Sequence, residues 1–285
     1  MSREKVKILK AKNAGFCFGV RRAIEITSKA LKENGTPVYS LGPIIHNPQM
    51  IARLEKLGLL VVDDDKKIPQ GAKFIIRSHG VPKEIVTRLK RKKVKIIDAT
   101  CPFVKQAQKI AINLHKKEKC QVVVFGDSDH AEVKAVNSQI DYQALVIGPN
   151  DPVPKSLFGK KIGLLSQTTQ KVEGFKKLLC QLLDFSKQLV VFNTICSDTS
   201  NKQLEVANLA KNCELLIVVG GKNSSNTTKL AQIGEKMGVK TFHIETADEL
   251  KVDWFSKIDR VGLAAGASTP DFLISEVVKK IKKIR

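Results

Sequence analysis

Short apolar runs alternate with longer stretches of helical periodicity along almost the whole chain of 285 residues. The runs VVVF at residues 122–125 and LLIVV at residues 215–219 are apolar, each is directly followed by a glycine, and such short runs are typical of β-strands. Between such runs, apolar residues recur every three or four positions, as in FGVRRAIEITSKALKE after residue 17. This alternation predicts βαβ units, in which ligands collect at the carboxyl ends of the strands.

The order of strand, cysteine and helix occurs three times along the chain. In each repeat a cysteine follows an apolar run and precedes a helical stretch, and these cysteines are Cys17, Cys101 and Cys196. We therefore predict an α/β fold of three similar small domains, with mainly parallel sheets in a pseudo-threefold arrangement around a central site. The predicted units are residues 17–100, 101–195 and 196–285, with residues 1–16 packing back onto the third unit.

Polar side chains follow the second and third strands of every repeat. In chain order they are His46, His79, His130, Glu132, Thr168, Ser224, Ser225, Asn226 and Ser268, with Gln167 and Thr169 beside Thr168. Because the carboxyl ends of parallel strands meet at one edge of a sheet, we expect these residues near the cysteines. The alternative for single members is helix capping, since loop histidines, serines and asparagines often have that role. His115 and His243 lie outside the repeat and are expected to be ordinary surface or core residues.

A cysteine at the start of a helix lies at the positive end of the helix dipole, which predicts a lowered thiol pKa. Three such thiolates indicate a metal centre. Zinc with three cysteines and one histidine is one candidate, although structural zinc sites usually draw on C-x2-C pairs and the sequence has none. A 4Fe-4S cluster is the other candidate, and one of its irons would then lack a protein thiolate. The residue types alone leave both candidates open.

The remaining cysteines provide an internal comparison. Cys120, Cys180 and Cys213 do not share the strand–helix position, so we predict that they are small buried apolar residues. Six cysteines without a secretory signal indicate reduced thiols rather than disulfides. The lack of a long apolar run and of a signal-peptide core predicts a cytoplasmic protein that does not associate with a membrane.

Eight short strings carry a resemblance to a known family over residues 13 to 275. In family order they are AGFCFGVRRAI, GPIIHNPQM, RSHGVP, DATCPFVK, HAEV, SQTT, GKNSSNTTKL and AGASTPD. This set resembles the signature of the 4-hydroxy-3-methylbut-2-enyl diphosphate reductases, which act last in the non-mevalonate isoprenoid route. The resemblance implies a two-electron reductive dehydroxylation that yields isopentenyl and dimethylallyl diphosphates. Ala131 departs from the proline that is usual in the family, but the neighbouring glutamate is retained.

The resemblance also implies roles for the matching positions. One 4Fe-4S cluster would have three cysteine ligands and one open iron, and its ligands would be Cys17, Cys101 and Cys196. The residues that would bind the substrate are His46, His79, His130, Thr168, Ser224, Ser225, Asn226 and Ser268. Glu132, Thr168 and His130 would be catalytic, with Glu132 as the acid of a proton relay and Thr168 beside the substrate hydroxyl.

The net charge of +21 introduces nucleic-acid binding as a competing class of function. The basic residues are mostly lysines spread along the chain, aromatic residues make up only 5% of it, and no nucleic-acid reader motif is recognisable. We therefore predict no nucleic-acid partner. The positive field instead favours an anionic small-molecule substrate and an acidic electron donor such as ferredoxin or flavodoxin.

Overall fold

The structure is a computed structural model that describes residues 6–33 and 37–284. Within these ranges the chain forms three sheets of four strands each. The strands are β1 (Lys7–Lys10), β2 (Val38–Leu41), β3 (Leu59–Val62), β4 (Lys73–Ile76), β5 (Lys95–Asp98), β6 (Gln121–Phe125), β7 (Leu145–Ile147), β8 (Lys161–Ser166), β9 (Gln188–Val191), β10 (Leu215–Val219), β11 (Lys240–Ile244) and β12 (Arg260–Ala265). The α-helices are α1 (Phe18–Lys32), α2 (Pro48–Lys56), α3 (Lys83–Arg91), α4 (Pro102–Ile112), α5 (Ala131–Ser138), α6 (Val172–Phe185), α7 (Ser197–Ala210), α8 (Ser225–Lys236) and α9 (Asp271–Ile284).

All strand pairs in the three sheets are parallel. The strand orders are β3-β2-β4-β5, β7-β6-β8-β9 and β1-β12-β10-β11. The predicted α/β fold with three similar parallel sheets is therefore confirmed, because helices connect the strands as parallel pairing requires. The pseudo-threefold arrangement and the three predicted domain boundaries stay predictions. Residues 1–5, 34–36 and 285, which belong to those predicted units, lie outside the described residues.

Contacts divide the chain into two compact units. Counting only the described residues, the first unit lies within the ranges 1–20, 46–51 and 197–285, and the second lies within 21–45 and 52–196. In the first unit, β1 joins the sheet of the last strands through parallel pairing of Lys7 with Arg260 and of Lys10 with Leu263.

The central strand β10 of the first unit is buried on both faces. Leu215, Ile217 and Val219 pack in one apolar cluster with residues of α9. Leu216 and Val218 point to the opposite face and pack in a second cluster with residues of α7 and α8. Because successive side chains of a strand alternate between faces, a continuous apolar run is what a doubly covered strand requires.

The second unit contains the other two sheets, and its strand β6 follows the same rule. Val123 and Phe125 belong to a cluster that includes Phe175 of α6. Val122 and Val124 belong to a cluster on the other face that includes residues of α4 and α5. The carboxyl end of β6 therefore leads from a rigid core into the loop before α5.

The three comparison cysteines differ in burial. Cys120 is buried as predicted, and Cys213 is half-buried. The prediction is wrong for Cys180, which is exposed. The buried face of α6 is formed by Phe175, Leu178 and Leu182, and Cys180 lies two residues after Leu178, so it is rotated by about 200° away from that face.

No helix within the described residues is both long enough and apolar enough to cross a membrane.

Candidate functional site

Each of the three repeated cysteines directly precedes a helix. Cys17 comes before α1, Cys196 comes before α7, and Cys101 is the N-cap of α4 with Pro102 in the first turn. Proline is common at this position because a backbone N–H in the first turn has no acceptor within the helix, so its absence in proline costs no hydrogen bond. All six cysteines, each within the described residues, are thiols rather than disulfides.

The backbone N–H of each repeated cysteine is bonded to a turn on the neighbouring strand. The acceptor in every case is the carbonyl two residues beyond the end of that strand. The bonds run from Cys17 to Ala267 after β12 (3.0 Å), from Cys101 to Ser78 after β4 (2.9 Å) and from Cys196 to Thr168 after β8 (2.9 Å). We call these three bonds the cysteine tethers. They fix each cysteine to a turn that contains a predicted substrate-binding residue, because Ser268 and His79 directly follow two acceptors and Thr168 is the third.

The expectation of a lowered thiol pKa is wrong for Cys101. Burial raises the pKa of this thiol, and hydrogen bonds from the backbone of Phe103 and Val104 only partly oppose that effect. The negative charges of Cys196 and Glu132 raise the pKa of Cys101 further, so both side chains lie within electrostatic range of this thiol. A metal that binds there has to displace the thiol proton.

Glu132 and Thr168 are joined by two hydrogen bonds. The backbone N–H of Thr168 donates to Oε1 of Glu132 over 2.7 Å, and the Thr168 hydroxyl donates to Oε2 over 2.7 Å. Both side chains are buried, with Glu132 only 2% exposed. The pair connects the start of α5 with the turn after β8, and the carbonyl of that same Thr168 accepts the tether of Cys196.

His130 also has the capping role that was the alternative to a functional one. It is the N-cap of α5, and its Nδ1 accepts the backbone N–H of Glu132 over 3.2 Å. Its ring meets the ring of His79 edge-on, with 5.6 Å between the ring centroids. The capping bond uses Nδ1 as an acceptor, so the proton of the neutral ring is on Nε2.

The first unit holds the other predicted residues in three loops, before α2, before α8 and after β12. The Ser268 hydroxyl donates to the carbonyl of His46 over 3.0 Å, which joins the loop after β12 to the start of α2. A Cβ on Gly221 would lie 2.8 Å from the same carbonyl, so only glycine allows this approach. His46, Gly221 and Ser268 are thus brought together within one unit.

The loop before α8 leads into one residue that caps the helix and one buried side chain that has no hydrogen-bond partner among the described residues. Ser224 is the N-cap, and its Oγ accepts the backbone N–H of Thr227 over 3.4 Å. Ser225, the first residue of the helix, is half-buried. Asn226 is only 5% exposed, yet neither its amide nitrogen nor its amide oxygen has a hydrogen-bond partner among the described residues. A buried amide in this state is suited to a polar ligand.

Sequence reasoning missed Arg77, which follows β4 and precedes the Cys101 tether acceptor. Burial lowers the pKa of Arg77, and its Nε has no hydrogen-bond partner among the described residues. The only indication in the sequence was the charged residue Arg77 directly after the apolar run FII, in the string FIIRSHG. The tethers themselves left no signal, because they use backbone atoms only.

Comparisons with known proteins agree with one another over nearly the whole chain. Residues 8–282 match the sequence model of the LytB protein family. A relative from Geobacter metallireducens, named 4-hydroxy-3-methylbut-2-enyl diphosphate reductase, is 42% identical over 279 residues, which is 98% of each chain. A relative of the same name from Aquifex aeolicus is 40% identical over 282 residues, covering 98% of this chain and 97% of its own.

Solved structures show the same relationship. A structure of (E)-4-hydroxy-3-methyl-but-2-enyl diphosphate reductase, the terminal enzyme of the non-mevalonate pathway, has a TM-score of 0.73 and 40% identity, covering 98% of this chain and 99% of the other. The corresponding reductase from Plasmodium falciparum has a TM-score of 0.88 and 28% identity, covering 97% and 88%. The resemblance inferred from the eight strings is therefore confirmed, and the chain belongs to the LytB protein family.

Proposed function

We propose that this protein catalyses the reductive dehydroxylation of 4-hydroxy-3-methylbut-2-enyl diphosphate, the last step of the non-mevalonate isoprenoid route. The substrate takes up two electrons and two protons, its C4–O bond breaks, and one water leaves with isopentenyl or dimethylallyl diphosphate as product. Relatives of this name, about 40% identical over 98% of the chain, support the proposal. The buried Glu132–Thr168 pair is the observation in this chain that carries it, because the reaction needs a positioned proton donor.

We propose one 4Fe-4S cluster with Cys17, Cys101 and Cys196 as ligands and one iron without a protein thiolate. The donor chemistry supports this, because the Cys101 and Cys196 thiols lie close enough to influence each other and all three cysteines are tethered through their N–H groups. When bound, the cluster supplies electrons and a Lewis acid for the leaving oxygen. Zinc with three cysteines and one histidine is the competing assignment.

Glu132 is the proton donor in this proposal, and Thr168 passes the proton on. When Glu132 is protonated at Oε2, that O–H donates to the Thr168 hydroxyl, whose own proton is then directed to the C4 hydroxyl of the substrate. The bond between the Thr168 N–H and Oε1 keeps the carboxyl group in one orientation during this transfer. Burial of both side chains excludes water that would compete for the proton.

The diphosphate group is assigned to a set of mostly neutral donors. They are His46, His79, His130, Ser224, Ser225, Asn226 and Ser268. The unsatisfied buried amide of Asn226 supports this assignment, because a phosphate oxygen would accept its N–H. A histidine near a polyanion is easier to protonate. These side chains therefore gain positive charge only when the diphosphate is bound.

An acidic ferredoxin or flavodoxin is the proposed electron donor, in the cytoplasm. The net charge of +21 supports electrostatic docking of such a partner. Six thiols without a disulfide are consistent with a reducing compartment. Rates of reduction by the donor should fall as the salt concentration rises, and rates that are independent of salt would contradict the docking.

Anaerobic purification followed by metal analysis and an assay tests the proposal. The protein should be brown, contain about four irons and four sulfides per chain, and convert the allylic diphosphate when a reduced mediator is added. Cys101→Ser should remove both cluster and activity, whereas Cys180→Ser, which changes an exposed cysteine, should change neither. A colourless protein that contains zinc would overturn the assignment in favour of a zinc enzyme.

A further inference from the structure

Lys202 is a buried cation that the proposed reaction does not use. Its side chain is 3% exposed, and its Nζ donates to the backbone carbonyl of Asn13 and, over 3.1 Å, to that of Gly15. Oδ2 of Asp198, one turn earlier on α7, lies 3.8 Å from the same nitrogen. Burial of an ammonium group costs free energy unless its N–H groups are hydrogen-bonded. We therefore expect the contacts of Lys202 to have a specific structural role.

Glu205 holds the same loop from the next turn of α7. Its Oε2 accepts the backbone N–H of Asn13 over 3.0 Å, and its Oε1 accepts the Asn13 side-chain amide over 2.6 Å. Residues three apart lie on the same face of a helix, so Lys202 and Glu205 both reach this loop. Together they bind the C=O and the N–H of Asn13, and they act as a two-residue clamp.

The clamped loop leads directly to Cys17. Gly15 is held through its carbonyl by Lys202, and Cys17 is held through its N–H by Ala267. Only Phe16 lies between these two anchored residues, so the backbone before the cysteine is fixed at both ends. Between β1 and α1 the chain has only turns and irregular structure, and it therefore lacks the ladder of hydrogen bonds that would otherwise position it.

We propose that Lys202 and Glu205 are positioning residues for Cys17, which hold the segment 13–17 in the conformation needed to bind the cluster. The part of this proposal that concerns the cluster rests on the proposed function. The part that concerns the loop does not, because every contact that carries it lies within the protein.

The test compares Lys202→Met with Lys236→Met in the full-length protein as purified anaerobically. Methionine keeps an unbranched side chain of similar length but cannot donate hydrogen bonds, and Lys236 is an exposed lysine near the end of α8. Hydrogen–deuterium exchange of the peptide containing residues 11–17 reports on the loop, and the rate of cluster loss to a ferrous chelator reports on Cys17. Glu205→Gln, at a half-buried position, is the second variant, with exposed Glu235→Gln as its control.

For Lys202→Met we expect exchange of the Asn13 and Cys17 amides to become about tenfold faster, as is typical of losing a hydrogen bond to a charged group. Cluster loss should accelerate by a similar factor, and both controls should behave like the unchanged protein. Lys202→Arg, which keeps the charge and the donors, should restore slow exchange. Should Lys202→Met fail to fold, Glu205→Gln decides the question by the same two rates.

Hydrogen–deuterium exchange in residues 11–17 that is unchanged in the Lys202 and Glu205 variants would contradict the proposed clamp. Exchange that rises equally throughout the chain while cluster loss stays slow would overturn it as well, because that is the result of a general loss of stability. If the unchanged protein holds no cluster at all, the proposed function fails, and the exchange rates still decide whether the clamp exists.

Discussion

Glu132 accepts two hydrogen bonds from Thr168, one from its backbone N–H and one from its hydroxyl, each over 2.7 Å. The two bonds separate orientation from proton transfer, because only the hydroxyl can pass on a proton. A substitution that removes the hydroxyl bond and keeps the backbone bond therefore tests proton transfer separately from orientation.

Glu132→Gln should reduce turnover by about 100-fold or more, because an amide cannot act as the acid. Thr168→Val should also reduce turnover, because it removes the hydroxyl while keeping the backbone N–H that orients the carboxyl group. Binding of inorganic diphosphate, measured by calorimetry, should change little in both variants, because neither side chain belongs to the proposed diphosphate set. Turnover within twofold of the unchanged protein in Glu132→Gln would exclude the proton relay.

Asn226→Ala should weaken diphosphate binding without destabilising the fold. The buried amide has no partner among the described residues, so its removal sacrifices no internal hydrogen bond and relieves the burial of a polar group. We expect the dissociation constant of inorganic diphosphate to rise about tenfold, as is typical of losing a hydrogen bond to a charged group. Asn201→Ala, at an exposed position of α7, is the matched control and should leave binding unchanged. Equal affinities of the Asn226 variant and the control would contradict the assignment.

Gly15→Ala should destabilise the protein more than Gly238→Ala. Both glycines have positive φ, +104° and +76°, but only at Gly15 would the new Cβ meet neighbours, namely Oδ1 of Asp271 at 3.0 Å and Cδ1 of Ile274 at 3.2 Å. We expect losses of unfolding free energy of about 2–3 kcal/mol for Gly15→Ala and about 1–2 kcal/mol for Gly238→Ala. Urea unfolding measures the difference, and a larger loss at Gly238 would show that the contacts around Gly15 do not matter.

Asp65→Asn should lower stability at neutral pH and have a smaller effect in acid. Arg88 donates to both carboxylate oxygens of Asp65, over 2.8 and 2.9 Å, and this bonding lowers the pKa of Asp65 below its usual value of 3.8. A carboxyl group with a lowered pKa in the folded state contributes stability above the unfolded pKa and loses it as the pH falls through the folded pKa.

The expected loss for Asp65→Asn is about 1 kcal/mol at pH 7, since the Arg88 side chain is 49% exposed and solvent screens the pair. Urea unfolding from pH 7 to pH 3 should show this loss unchanged down to about pH 5 and shrinking below about pH 4. Asp63→Asn is the control, because the Asp63–Lys67 pair is well exposed and should contribute nothing measurable. A loss of stability that stays constant down to pH 3 would contradict the ionic origin.

The sequence predicts the parallel sheets well because their strands are continuous apolar runs, as in β10 and β6. It also predicts that Cys17, Cys101 and Cys196 directly precede helices. It fails for Cys180, because the apolar string around this residue does not reveal which helical face is buried. The raised pKa of Cys101 was also missed, since the helix dipole is visible in a sequence pattern and the depth of burial is not. The ligand assignments of the candidate site stay predictions.

The contacts of Lys202 show a second kind of feature that the sequence does not predict. A lysine in a helix usually predicts a solvated side chain, and nothing in its neighbours SNKQLE indicates burial. Its partners are carbonyl groups of a loop almost 190 residues earlier in the chain. Backbone acceptors have no residue-type signature, so only the folded chain reveals such a contact.

The cysteine tethers have a consequence for the side chains that the three turns can carry. Their acceptors are Ser78, Thr168 and Ala267, three different residues at equivalent positions, because the bond requires a carbonyl and no particular side chain. A change of side chain at these positions can therefore leave the tether in place, although at Thr168 the hydroxyl has its own bond to Glu132. Three turns with different side chains can thus hold their cysteines through the same backbone bond.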